Sequence, residues 1–464
     1  MFKLIYNKFL WLNSSKIQKR YLNFLLSFVV AWGIILSHNL TVSSQEQPNR
    51  EPERPVESEL IDTERLALAI EKTEAKWERD YEKHFKRDFR NRSRSARGIA
   101  QHLKEINAQT GLKPAVIWAI PKPKFLQLML VTPDNKLAMR EVRGADRDTL
   151  DLIIGQLDKA LNDGTSTKYL APAKQLYRWL FEPLESYLEA ENIDTLLLCT
   201  GPSLRSLPFA VLHDGEKFAI EKYNLSRIPA FNLTDTSYQA IPERKVLAMG
   251  ASTFTDKADL PGVEVELDTI TPKLLPGRRI LNQDFTIENL IKEHQQGQFN
   301  IVHLATHSEF RPGAPSNSYI QFSDRALTID NIDSLNLDDP PVDLLVLSAC
   351  ETALGDEEAE FGFAGLAMQA GVKSVLASLW SISDTGTVGL MSEFYQQLRL
   401  TPIKAEALRK AQLEMLKGNV SIEGETLKTS QLSIPLPPEI TEYEQPNLTH
   451  PYHWAGFTII GNPW

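Results

Sequence analysis

The sequence predicts an α/β fold in which a parallel sheet is covered by helices on both faces. Two stretches carry that prediction, 300–310 (NIVHLATHSEF) and 342–355 (VDLLVLSACETALG). Each is a short apolar run with β-branched residues that ends in a turn of small residues, as a strand buried on both faces of a parallel sheet does. A third observation supports them: through the second half of the chain, such runs alternate with segments of helical periodicity, the pattern of strand–helix–strand crossovers. The composition of the 464 residues, 42% apolar and 24% charged, suits a globular chain of about two or three domains. A formal net charge of −10 speaks against nucleic acid as the main partner, because phosphate binding along a duplex requires clustered Lys and Arg.

Taken in order, residues 1–20 carry Lys3, Lys8, Lys16, Lys19 and Arg20 and no acid, and Tyr21 to Leu36 is almost wholly apolar. A basic region followed by a hydrophobic one predicts, over 1–44, either a signal peptide cleaved near Ser44 or a membrane anchor. Under either reading the folded body is exported across the cytoplasmic membrane, to a periplasmic or extracellular location, or is tethered to that membrane through residues 21–36. Residues 45–61, with Pro48, Pro52 and Pro55, read as an extended linker. The segment 62–113 reads as helical. Its stripe of Ile70, Trp77, Tyr81, Phe85 and Phe89 is expected to lie on its own domain or to pair with the next helix through Ile99, Leu103 and Ile106.

From Pro114 the pattern becomes short strands at Ala115 to Ala119, Phe125 to Val131 and Lys136 to Val142, with a turn at 133–135. Helices follow over Asp146 to Asn162 and Ala173 to Leu180, then a strand over Thr195 to Cys199. A second half begins near residue 240, with strands at Lys245 to Met249, Arg279 to Leu281 and Lys373 to Trp380 besides the two opening stretches. Its helices are expected over Gly262 to Leu275, Thr286 to His294, Phe361 to Gln369, Asp384 to Leu398 and Ile403 to Leu416. Gly418 to Leu448, with four prolines and little periodicity, reads as a long surface excursion before a final strand over His453 to Ile460.

Reactive groups in open α/β sheets collect at the carboxyl ends of strands, and one opening stretch ends near His307 and the other near Cys350. Neighbouring strands there would hold an imidazole beside a thiol, an arrangement that makes a nucleophilic thiolate. His303 lies deeper in the same strand and reads as a core residue. Cys199, the other cysteine, reads as a buried free thiol, and His213 as structural. Two cysteines are too few for a structural zinc site, and no metal or organic cofactor is expected. The acidic run Asp356, Glu357, Glu358 and Glu360 reads as a solvated loop.

The motifs ATHSEF and LVLSACETALGDEEAEFGFAGLAMQAGVKSVLASLW, with the upstream SLRSLPFAVLHDG and the closing PYHWAGFTIIGN, resemble the CHAT domain. This is the caspase-like domain of a peptidase group that also contains caspases, metacaspases and separase, here in a bacterial type with an N-terminal signal or anchor. The resemblance covers roughly three quarters of the chain, from about Pro114 to the end. It implies a caspase-like parallel sheet sandwiched by helices, in which 240–464 is the caspase-like half and 114–239 a related, non-catalytic half. It further implies a cysteine endopeptidase acting on a protein or peptide substrate, with Cys350 as nucleophile and His307 as base. The backbone amides of Ser308 and Cys350 would serve as oxyanion donors. Ser308 stands where relatives commonly have glycine. Asp384 matches an acid that reads Arg or Lys at P1 in separase-like relatives, and it can equally be read as the N-cap of the helix that follows. The alternative is a non-catalytic CHAT module that binds partner peptides.

Overall fold

The computed structural model describes residues 63–89, 93–241, 243–352, 357–441 and 446–464; for 350–352, 357, 358 and 360 it describes the backbone alone. The expected leader over 1–44 and the linker over 45–61 lie outside the described residues, as do the side chains of the acidic run. Among the described residues no helix is long and apolar enough to cross a membrane.

Helix α1 (Thr63–Phe85) buries Leu66, Ile70, Glu74, Trp77, Tyr81 and Phe85, residues three or four apart that make one stripe. Helix α2 (Ala96–Thr110) is opened by Ser95, whose Oγ accepts from the Gly98 amide, and closed by Gly111 at φ 78°. Leu66, Ile70 and Trp77 share a core cluster with Ile99, Leu103 and Ile106 of α2 and with one face of the sheet, so the stripe packs at home as expected.

Strands β1 (Pro114–Pro121), β2 (Phe125–Val131) and β3 (Leu137–Arg143) form a meander. After α3 (Arg147–Leu161), α4 (Leu170–Leu180) and α5 (Glu182–Ala190) come β4 (Thr195–Thr200) and β5 (Asn224–Ile228). The second half runs β6 (Val246–Gly250), α6 (Gly262–Asp268), β7 (Gly277–Leu281), α7 (Ile287–Gly297), β8 (Ile301–Phe310), the hairpin β9 (Tyr319–Gln321) and β10 (Ala326–Thr328), and β11 (Leu344–Thr352). It continues with α8 (Glu357–Ala364), α9 (Leu366–Ala370), β12 (Ser374–Ser378), α10 (Asp384–Leu400) and α11 (Lys404–Leu416). A small sheet of β13 (Ser421–Glu423), β14 (Thr426–Lys428) and β15 (Ser433–Pro435) precedes the last strand, β16 (Phe457–Gly461).

The halves share one thirteen-stranded sheet, β3-β2-β1-β4-β5-β16-β12-β11-β8. Along the outer edge of β8, residues 301–305 pair with β6, which in turn pairs with β7, and Ser308 and Glu309 pair with the β9–β10 hairpin. Most pairs are parallel, which requires cover on both faces. Strand β1 shows this directly: Ala115, Ile117 and Ala119 enter one core cluster, while Val116, Trp118 and Ile120 enter the cluster under α1 and α2. The continuous apolar run in the sequence is the consequence.

Four expectations are corrected. No strand was expected over 224–228, yet β5 joins the halves by pairing with β4 and β16. Its Asn224, Ser226 and Arg227 are buried and find partners: Asn224 Nδ2 donates to Thr195 Oγ1 at 3.0 Å, Ser226 Oγ donates to Gly461 O at 2.7 Å, and Arg227 donates to the carbonyls of Leu204 and Leu207. The helix expected over Gly262 to Leu275 stops at Asp268 as a regular helix, because Thr271 precedes Pro272 and takes extended angles (φ −136°, ψ 129°). The helix expected over Phe361 to Gln369 is two helices broken at Gly365, where a Cβ would lie 2.5 Å from the Phe85 ring. Residues 418–448 are not a bare excursion, since the small sheet in them buries Leu427 and Ile434 against the main core.

Candidate active site

The two opening stretches become adjacent parallel strands. From Leu344 opposite Ile301 the register holds to Leu347 opposite Leu304, then shifts, so that Ala349 faces His307 and Cys350 faces Ser308. Strand β8 spends three residues where β11 spends two, a bulge that re-aims the carboxyl end of β8. Paired strands lie about 4.8 Å apart, so the backbones of His307 and Cys350 are neighbours at one rim of the sheet.

His307 is half-buried. Its Nε2 lies 2.8 Å from the carbonyl of Ala258, and the Phe254 ring packs edge-on at 4.7 Å between centroids. Both contacts come from the loop between β6 and α6. That loop is pinned by Lys257, whose Nζ reaches Glu309 at 3.0 Å and the Tyr319 hydroxyl at 2.7 Å. Burial alone would raise the Glu309 carboxyl, but hydrogen bonds from Tyr319, Lys257 and Arg311 prevail and hold its pKa at about 2. Ser308 is buried, and its hydroxyl donates to Ala349 O at 3.3 Å. Its φ is not positive, so the Cβ that replaces the relatives' glycine costs the backbone nothing.

A small cleft opens beside these strand ends, lined among others by His307, Ser308, Ala349, Glu266 and Asp384. Asp384 is the first residue of α10, but it is not the N-cap: Ser383 is, with its Oγ accepting from the Gly386 amide. The Asp384 carboxylate instead accepts from the Gly262 amide at 3.1 Å, at the start of α6. A Cβ on Gly262 would make a tight contact with Asp384 Cβ, at 3.0 Å.

Beneath the cleft lies a polar network that sequence reasoning did not find. Glu266, 3% exposed, receives the Ser348 hydroxyl at 3.3 Å and stands 3.0 Å from His303 Nε2, while His303 Nδ1 meets the Tyr395 hydroxyl at 3.0 Å. His303 is fully buried, the core residue it was expected to be. Nothing in GVEVELD separates Glu266 from the solvated Glu264 except position on a helix whose inner face is known only from the fold. Ala258 gave no signal either, because every residue carries a carbonyl.

In the other half, Cys199 is a buried free thiol, its pKa pushed well up by burial first and by Glu74 second. His213 accepts the Gly215 amide on Nδ1 at 2.9 Å and packs on Phe218, a structural role as expected. Among the described residues no group of three or more His, Cys, Asp or Glu side chains could hold a metal ion.

Among solved structures, two crystal structures of the Saccharomyces cerevisiae separase–securin complex are similar to this chain, one at 11% identity with a TM-score of 0.43 and one at 13% with 0.45. In both, 79% of this chain is covered and only 31% of the other. No curated protein matches. The CHAT domain model matches residues 170–462, and by that match over more than half its length the chain belongs to the CHAT domain family.

Proposed function

We propose that this chain is a caspase-like cysteine endopeptidase that cleaves a protein or peptide substrate through His307 and Cys350. The observation that carries the reading is that β8 and β11 are adjacent parallel strands whose carboxyl ends, with His307 on one and Cys350 on the other, lie beside a cleft that His307 lines. In this reading His307 Nδ1 takes the Cys350 thiol proton as the sulfur attacks the scissile carbonyl carbon. The oxyanion is met by the backbone amides of Ser308 and Cys350. Collapse breaks the C–N bond, and the proton on Nδ1 passes to the leaving amine, giving a thioester. Water, deprotonated by Nδ1, then adds to the thioester carbonyl; the acid product leaves, and the proton returns to sulfur. Asp384 reads a basic P1 side chain.

The substrate is met outside the cytoplasm if residues 1–44 act as a signal or an anchor. Neither nucleic acid nor a cofactor enters the reaction. The test is labelling by an electrophilic peptide probe with Arg at P1. Labelling of the wild type, lost in Cys350→Ala and His307→Ala and weakened in Asp384→Asn, supports the reading. Probe binding that is indifferent to the first two changes would instead identify a non-catalytic peptide-binding module.

A further inference from the structure

A second groove, away from the cleft, lies between α1, the turn after β4, the loop after β8 and α8. It is open to solvent. Among the described side chains that line it, Lys76, Lys83, Lys86, Arg147 and Arg205 are cationic and Asp80 is the one carboxylate. That carboxylate is already held by Lys76 at 3.6 Å. In a chain of net charge −10, this local excess of positive charge runs against the overall balance.

Arg205 is what separates this groove from an ordinary basic surface. It is 2% exposed, yet its Nε and Nη1 have no hydrogen-bond partner. The guanidinium is fixed over the Phe361 ring, with Cζ 3.7 Å from the centroid, and faces Tyr81 at 6.0 Å. The ring of His84 stacks on Phe361 at 5.2 Å and 22°, and its Nε2 is likewise buried without a partner. Burial and then the charge of Arg205 push the His84 pKa down. Buried donors in folded proteins are almost always paired, so the two idle nitrogens of Arg205 in a cationic groove are a site without its acceptor. A stacked, pre-oriented guanidinium supported by lysines is the donor set that phosphate groups select.

We propose that this groove binds a small anion bearing phosphate. The walls explain what binding would do mechanically. Lys83 belongs to α1 and Arg205 to the turn after β4, so an anion on the two would fasten α1 to that turn, with Phe361 of α8 packed under the guanidinium. The binding itself is independent of peptidase activity.

The experiment is calorimetric titration and thermal denaturation of the full chain with inorganic phosphate, pyrophosphate and ATP, at ionic strength matched with NaCl. These arms separate free phosphate, polyphosphate and nucleotide as the source. Saturable binding of at least one of them, with a rise in Tm of about 2–5 °C, is expected. Lys83 and Lys86 are exposed, so the double variant Lys83→Glu/Lys86→Asn should fold as the wild type does and bind about tenfold more weakly, by loss of two attractive charges and gain of one repulsive charge. Arg205→Lys, which keeps the charge but not the fork, should also weaken binding. The proposal is overturned if no phosphate species shifts Tm beyond NaCl, if binding is unchanged in the double variant, or if an acidic peptide saturates the groove while all three phosphates fail.

Discussion

His307 Nε2 stands 2.8 Å from the carbonyl oxygen of Ala258. A carbonyl can only accept, so Nε2 carries the ring proton and Nδ1 keeps the lone pair that a base needs. The tautomer of a residue on β8 is therefore set by a loop between two other elements. Internal bonds, Phe254 N to Asp259 at 3.0 Å and Leu260 N to Ser252 O at 2.9 Å, make the loop stiff enough to do so.

Lys257→Met removes the ammonium that joins this loop to Glu309 and Tyr319. We expect a loss of about 1–2 kcal/mol in stability, measured by chemical denaturation near neutral pH. Turnover of a basic-P1 peptide should fall about tenfold in kcat, the size expected when a positioned base loosens. The pH dependence has a definite sign. The Glu309 pKa is depressed from 4.5 to about 2, so its contribution is complete above 4.5 and disappears as pH falls from there toward 2. Wild type and variant should therefore converge in stability only as pH falls to about 2; a constant gap down to pH 2 would show that the ion pair is not what Lys257 supplies.

Gly262→Ala tests the seam between α6 and α10. Its Cβ would lie 3.0 and 3.2 Å from Asp384 Cβ and Cγ and 3.3 Å from Val388 Cγ2. Overpacking of this kind costs about 1–3 kcal/mol. Because the strain falls on Asp384 rather than on His307, KM for a basic-P1 substrate should rise more than kcat falls. Steady-state kinetics paired with thermal denaturation would check both.

The sheet was legible where burial on two faces forces a continuous apolar run, as in β1, β4, β8 and β11. It was illegible at β5, because Asn224, Ser226 and Arg227 find buried partners that only the fold reveals. The positions of His307 and Cys350 on neighbouring strands followed from two similar strand ends, since small residues mark where a buried strand turns. The parts of the site contributed by backbone or by helix rotation left no trace: Ala258 acts through its carbonyl, and Glu266 through which face of α6 points inward. Asp384 illustrates the intermediate case. Either reading of an acid at a helix start was open, and the neighbouring Ser383 took the capping role.

Glu74 is the one acid on the buried stripe of α1, fully enclosed. Its oxygens accept from Trp118 Nε1 at 2.6 Å and from the amides of Phe231 and Asn232 at 3.2 and 2.9 Å. Glu74→Ala leaves three buried donors unmet and should cost about 2–4 kcal/mol. Trp118 fluorescence during denaturation reports the loss, and a cost below 1 kcal/mol would mean that α1 is held by its apolar stripe alone.

His453 gives the sharpest pH test. It is 5% exposed and sits against the start of α10, with Nδ1 3.4 Å from the Oγ of the cap residue Ser383. Burial, with a smaller contribution from His450, lowers its pKa to about 4 from the ordinary 6.5. The folded protein therefore holds it neutral at a pH where the unfolded chain binds a proton. Its contribution is complete above pH 6.5 and is lost as pH falls from there to about 4, by up to roughly 3 kcal/mol. His453→Gln removes the titration while keeping a polar group for Ser383. The stability difference between wild type and His453→Gln should shrink or reverse on going from pH 7 to pH 4, and the other histidines, common to both proteins, cancel from that difference. Parallel curves across this interval would mean that His453 is protonated in place, and then the cap at Ser383 must be reached by solvent.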